Sequence, residues 1–181
     1  MVLKAAFTHT NPHTRLTSIK TPPIKPEIYQ WTGVTVSVVL GLSSALLLFF
    51  GGTSWYNVLQ KPLFALPLGV LAPFQIAAIV LSGFGSRIVM GNVSGNPAVK
   101  PARKMYSIWL VMHGLWLILF AGVHLAVPAM VVSVLTWGFG TVTIQKFFHV
   151  DPKAGSRALF FYLLTTYWMV VNGFLISLNN L

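Results

Sequence analysis

Trp55-Tyr56-Asn57-Val58-Leu59-Gln60-Lys61-Pro62-Leu63-Phe64-Ala65-Leu66-Pro67-Leu68-Gly69-Val70-Leu71-Ala72-Pro73 is the stretch on which the fold turns. It joins two long apolar segments and carries aromatics, one lysine and three prolines. Each proline lacks an amide N–H and biases the residue before it away from helix. The expected structure is an ordered, extended loop capping a bundle of membrane helices, with Pro67 starting the next helix. Composition alone fits an ordinary interfacial loop, and the rest of the chain has to decide.

The rest of the chain fixes the solvent. Of its 181 residues, 55% are hydrophobic and 8% charged, and mean hydropathy is +0.75. Soluble domains carry about a quarter charged residues, so a soluble core with a charged surface is excluded. The net charge of +10 sets twelve Lys and Arg against Glu27 and Asp151. In a soluble protein that balance would suggest nucleic acid. Here the bases fall between apolar segments, where they set topology and meet anionic lipid headgroups, so no nucleic-acid partner is expected. With no cysteine, disulfides, thiolate catalysis, Cys-ligated zinc and iron–sulfur clusters are excluded.

The predicted class is an all-α membrane protein, a five-transmembrane-helix bundle. Residues 1–30 form a basic, Pro- and Thr-rich extension with Lys4, Arg15, Lys20 and Lys25 ahead of its one acid, Glu27. That composition suits an organelle-targeting segment or a disordered basic tail. Residues 31–181 form the membrane domain, with helices at about 31–50, 67–90, 105–127, 128–148 and 157–178; a span needs about 20 residues. Pro73 interrupts the second helix, and Pro128 starts the fourth after almost no loop, making helices three and four a hairpin. Five spans place eleven of the twelve bases on the side of the N-terminus and leave Lys61 alone on the other. By the positive-inside rule, the N-terminus and basic loops lie on the cytosol-like face of an organellar membrane. The mitochondrion is favoured over plastid or endoplasmic reticulum.

Chemistry inside the spans is sparse. No acid lies in any of them, so coupling carboxylates are absent. The five histidines show no metal-ligand spacing, and no Ser-His-Asp set can be assembled. The protein is therefore expected not to be an enzyme and to need no cofactor or metal. Gln75, His113, Gln145 and Asn172 are the polar intramembrane residues, and each suits an interhelical hydrogen bond. His113 could also titrate, or ligate a metalloporphyrin iron. It shares a helix face with Trp116, three residues on, which would suit a flat, mostly apolar ligand or plain packing.

These residues resemble the TspO/MBR family, the tryptophan-rich sensory or translocator proteins. Trp55-Tyr56-x2-Leu59-x-Lys61-Pro62-x-Phe64-x2-Pro67 is similar to the family's first-loop signature, and Val70 and Pro73 continue it without a gap. Weaker matches follow in order: Trp116 in helix three, Thr143-Ile144 in helix four, Val150-Asp151-Pro152-x-Ala154 after it, then Asn172 and Asn179 in helix five. Gly69 and Gln75 stand where the family usually has tryptophans. His113 replaces an Asn, Trp109 a Gln, and Phe160, Phe161 and Leu164 replace the aromatic motif of helix five.

The resemblance implies a cavity under the first loop that binds a tetrapyrrole (porphyrin or haem), a sterol such as cholesterol, or a related lipid, with a transport or regulatory role. Pro73, Gln75, His113, Trp116 and Asn172 would line or support it. Trp55, Lys61 and Pro62 would shape the lid, with Lys61 available to a ligand carboxylate. The alternative is a non-catalytic scaffold or accessory subunit of a larger membrane complex whose cavity has degenerated. An interior filled by Trp109, Trp116, Phe160 and Trp168 would favour that second reading. The family forms dimers, and Gly83/Gly85 or Gly138/Gly140 could permit close contact between copies.

Overall fold

The computed structural model describes residues 26–92 and 96–181, with the side chains of 26–29 left undescribed. Most of the expected N-terminal extension, residues 1–25, lies outside the described residues. All regular structure among the described residues is helical, and five helices are long and apolar enough to cross a membrane.

Helix α1 (Pro26–Leu46) runs through a widened turn at Leu47–Gly52 into α2 (Thr53–Val58). The first span is therefore 29 residues long, Gln30–Val58, about 44 Å at 1.5 Å per residue. The loop expected to open at Trp55 instead begins at Leu59. Gly51 and Gly52 do not end the helix, because the wide turn absorbs them. Thr53 Oγ1 donates to Phe49 O at 2.6 Å and to Leu48 O at 3.2 Å. Gly51 also permits a close approach, since a Cβ there would sit 2.6 Å from Ala121 O.

Helix α3 (Leu68–Gly91) starts after an extended Pro67 whose carbonyl accepts from Val70 N–H and Leu71 N–H. Helix α4 (Val99–Leu117) begins six residues before the expected Met105, with Pro101 tolerated in its first turn. It ends in a second wide turn, Ile118–Gly122. His124, in the left-handed region at φ 60°, turns the chain into α5 (Ala126–Val150), with Pro128 in the first turn rather than at its start. Helix α6 (Pro152–Asn179) begins five residues before the expected Arg157, because Asp151 caps it by accepting from Lys153 N–H at 2.7 Å. Asn180, left-handed at φ 52°, ends it.

Around the bundle the order is α1, α3, α6, α5, α4, with α4 closing back on α1 through the sparsest packing in the ring. The hydrophobicity is turned outward as well as inward. Phe50 is 76% exposed and Val111 64%, while Gln75, Asn172, His113, Ser37 and Ser82 are buried. That distribution fits hydrocarbon as the surrounding solvent. Two apolar clusters fill the middle: one beneath the loop (Leu48, Tyr56, Leu71, Phe120, Trp168) and one toward the basic end (Ile79, Tyr106, Trp109, Phe147, Phe161).

The small residues expected to serve a dimer are mostly used inside the bundle. A Cβ at Gly83 would meet Ser37 Cβ at 2.7 Å, one at Gly85 would meet Ala154 O at 2.8 Å, and one at Gly140 would meet the Trp109 ring at 2.9 Å. A Cβ at Gly138, by contrast, would have nothing within 4 Å among the described residues.

Candidate functional site

Gln75 is the hub of the interior. Its amide N–H donates to His113 Nε2, while its Oε1 accepts from Trp168 Nε1–H at 3.0 Å. One side chain thereby ties α3 to α4 and α6. Because His113 accepts through Nε2, its proton belongs on Nδ1. The His113 ring packs against Trp116, with centroids 5.3 Å apart, and edge-on to Phe161 at 4.9 Å. Trp116 in turn stacks on Phe120 at 5.2 Å and leans on Trp168 at 5.1 Å. Of the expected site residues, the fold brings Gln75, His113 and Trp116 into this one assembly.

Asn172 is also fully buried, but among the described residues neither atom of its amide has a hydrogen-bond partner, and the indole N–H groups of Trp109 and Trp116 are likewise unpartnered there. Pro73 departs from expectation. It lies inside α3 but is exposed, so it faces the lipid side and does not line the interior. The interior is packed by Trp109, Trp116, Trp168 and Phe161, with Phe161 in the place expected of Phe160; Phe160 is 39% exposed.

This packing bears on haem. His113 Nε2 is taken by Gln75, and the ring is held between Trp116 and Phe161. The residues as placed do not fit an iron porphyrin ligated by His113. Among the described residues, no group of three His, Asp or Glu could hold a metal ion.

The loop, Leu59–Pro67, is held from α2 at one end and from α6 along its length, and α2 is itself braced against the α4–α5 connection. Trp55 stacks on His124 at 5.1 Å and meets Phe120 edge-on, and His124 Nε2–H donates to Gly51 O. Lys61 Nζ donates to the carbonyls of Tyr56 (2.9 Å), Leu59 (3.0 Å) and Asn57 (3.2 Å). An ammonium has three N–H donors, so this one is committed to the C-terminus of α2, where the helix dipole favours a cation. That replaces the expectation of a lysine available to a ligand carboxylate. Pro62 O accepts from Ala65 N–H at 2.9 Å, closing a turn.

Two hydrogen-bonding anchors come from α6, beside an edge-on contact of Phe64 with Phe174. Asn179 pairs with both backbone groups of Gln60, accepting its N–H at 2.8 Å and donating to its carbonyl at 2.9 Å. Tyr167 Oη accepts from Leu66 N–H at 2.8 Å. In the sequence Asn179 is legible only as a motif position, and the one signal for Tyr167 is its place beside Trp168.

Below the Leu66–Tyr167 bond lies a groove of about 240 Å³ between α3 and α6, lined by Leu66, Leu71, Phe74, Phe160, Leu163, Leu164 and Tyr167. Its one polar side-chain group is the Tyr167 phenol. That oxygen already accepts from Leu66, so its own proton remains for an acceptor.

A five-span α-helical bundle, with a polar hub at its centre and a pinned loop over one end, defines an all-helical, multi-pass membrane protein. The comparisons name the group: the TspO/MBR family pattern matches residues 33–177, and the chain belongs to that family. The pig (Sus scrofa) translocator protein is 34% identical over 114 residues, covering 62% of this chain and 66% of the relative. The bovine (Bos taurus) translocator protein is 31% identical over 126 residues, covering 68% and 72%.

Proposed function

We propose that this protein binds a flat, mostly apolar lipid of the sterol class, taken in from the bilayer by the groove beneath the first loop. A transport or regulatory role would follow from holding and releasing that ligand. The observation that carries the reading is the groove itself: apolar walls and one phenolic proton at the top. A sterol offers the complement, an apolar ring system with a single hydroxyl that can accept. A tetrapyrrole fits less well, because its carboxylates would need a cation and Lys61 is bonded to three carbonyls. The name of the pig and bovine relatives, translocator protein, agrees with a transport role.

The membrane we favour is organellar, with the basic end of the bundle on the cytosol-like face. A second reading has its own support. The interior filled by Trp109, Trp116, Trp168 and Phe161 suits a subunit of a larger assembly, which would have room for close contact at Gly138. The test is binding of a radiolabelled sterol to the full chain in nanodiscs, comparing wild type with Leu164→Trp, which fills the groove, and Tyr167→Phe. Saturable binding lost in the first variant and weakened in the second supports the sterol reading. Equal binding in all three would refute the groove. No binding, with co-purification in a defined complex, leaves the assembly reading.

A further inference from the structure

A second pocket, of about 310 Å³, opens at the opposite end of the bundle, where α1, α3 and α4 meet. Gly33 and Val36 come from α1, Ser86 from α3, and Arg103, Ser107 and Leu110 from α4. Its polarity runs in one direction. Arg103 and Ser107 are exposed near the start of the α4 span, and Ser86 lies near the end of the α3 span. Val36 and Leu110 lie one turn deeper into the hydrocarbon. Beneath the pocket, Tyr106 Oη bonds to Ser37 at 2.6 Å and Ser82 at 2.9 Å, which fixes the three helices together.

Three observations point to the occupant. Ser86 is 1% exposed and lines the pocket, yet no hydrogen bond among the described residues uses its hydroxyl. It reaches α1 only because residue 33 is glycine, where a Cβ would sit 2.5 Å from Ser86 Oγ. Second, the basic end carries Arg87, Lys100, Arg103, Lys104, Lys146, Lys153 and Arg157, whereas Glu27 and Asp151 are the chain's only acidic side chains. Most of these bases must find anions outside the chain. Third, α1 and α4 pack sparsely, and below the pocket their outer faces expose Val39 and Val111, an apolar seam continuous with the bilayer.

We propose that this pocket seats the phosphate of an anionic phospholipid, with an acyl chain lying along the α1–α4 seam. Arg103 supplies a planar two-pronged donor to the phosphate, and the Ser86 and Ser107 hydroxyls complete the cradle. The site is distinct from the groove beneath the first loop and does not depend on what that groove binds.

The test is native mass spectrometry of the full chain in detergent, titrated with dioleoyl phosphatidate or dioleoyl phosphatidylcholine. Phosphatidate should be retained preferentially, and Arg103→Gln should weaken its retention by about tenfold. Arg103→Lys, which keeps the charge but loses the fork, should recover only part. Lys146→Gln, on the same end but outside this pocket, should leave retention unchanged. Ser86→Ala should weaken it without threatening the fold. Equal losses in Arg103→Gln and Lys146→Gln would overturn the proposal in favour of diffuse attraction to a basic face. Competition by millimolar inorganic phosphate would also overturn it, since the site would then take free anion and not lipid.

Discussion

Replacing Gln75 by leucine tests whether one amide holds the bundle interior together. The substitution puts an apolar side chain of similar size in its place and removes both hydrogen bonds of the hub. Trp168 Nε1–H loses an acceptor at 3.0 Å, and His113 Nε2 loses its donor. Both groups are buried, and leaving a buried polar group unpaired costs about 1–3 kcal/mol. Interhelical hydrogen bonds in membranes average nearer 0.6 kcal/mol. Two such groups together therefore set the expected loss at about 1–3 kcal/mol.

The measurement is reversible unfolding in mixed micelles, followed by far-ultraviolet circular dichroism so that removing an indole does not alter the signal. A double-mutant cycle with Trp168→Phe isolates the bond. Once Gln75 is gone the indole N–H has no partner to lose, so the double variant should be less destabilised than the sum, with a coupling of about 0.5–2 kcal/mol. Additivity within about 0.3 kcal/mol would refute the claim that Gln75 joins α6 to the hub.

Other outcomes follow from the same geometry. Gly140→Ala places a Cβ 2.9 Å from the Trp109 ring and should cost about 1–3 kcal/mol, read as a lower melting temperature in detergent; Gly138→Ala should leave it unchanged. Asn179→Ala frees both backbone groups of Gln60 and should speed amide exchange at residues 59–61 by about tenfold, while the spans keep their protection. Titration with haemin should give the same absorption spectrum for wild type and His113→Ala; a histidine-ligated band lost in the variant would contradict the packed hub.

The five spans were legible in the sequence because about 20 consecutive apolar residues leave little choice in hydrocarbon. Their ends were less so. The first span overran to Val58 since a wide turn carried two glycines, and α6 began at Pro152 since Asp151 caps it, a local hydrogen bond no hydropathy window detects. Burial of Gln75, His113 and Asn172 followed from the cost of polar groups in lipid, but which of them meet did not; Gln145, expected to bond between helices, is instead exposed in the last two turns of α5. That Gln75 bonds both His113 and Trp168 depends on the order of helices around the ring. Lys61 was identifiable as the lone base of its face. Its three carbonyl partners were hidden because they arise only when α2 ends at Val58. Pro73 was placed by motif position alone, and the helix turned it outward.

The central claim is that the ligand site is the lateral groove under the pinned loop and not the packed interior. A sterol carrying a photoactivatable diazirine on its ring system, crosslinked to the full chain in nanodiscs and mapped by peptide mass spectrometry, tests it most directly. Adducts are expected at Phe160, Leu164 or Tyr167 and at Leu71 or Phe74, suppressed by excess unlabelled sterol. Competed adducts confined to Trp109, His113 or Trp116 would contradict it.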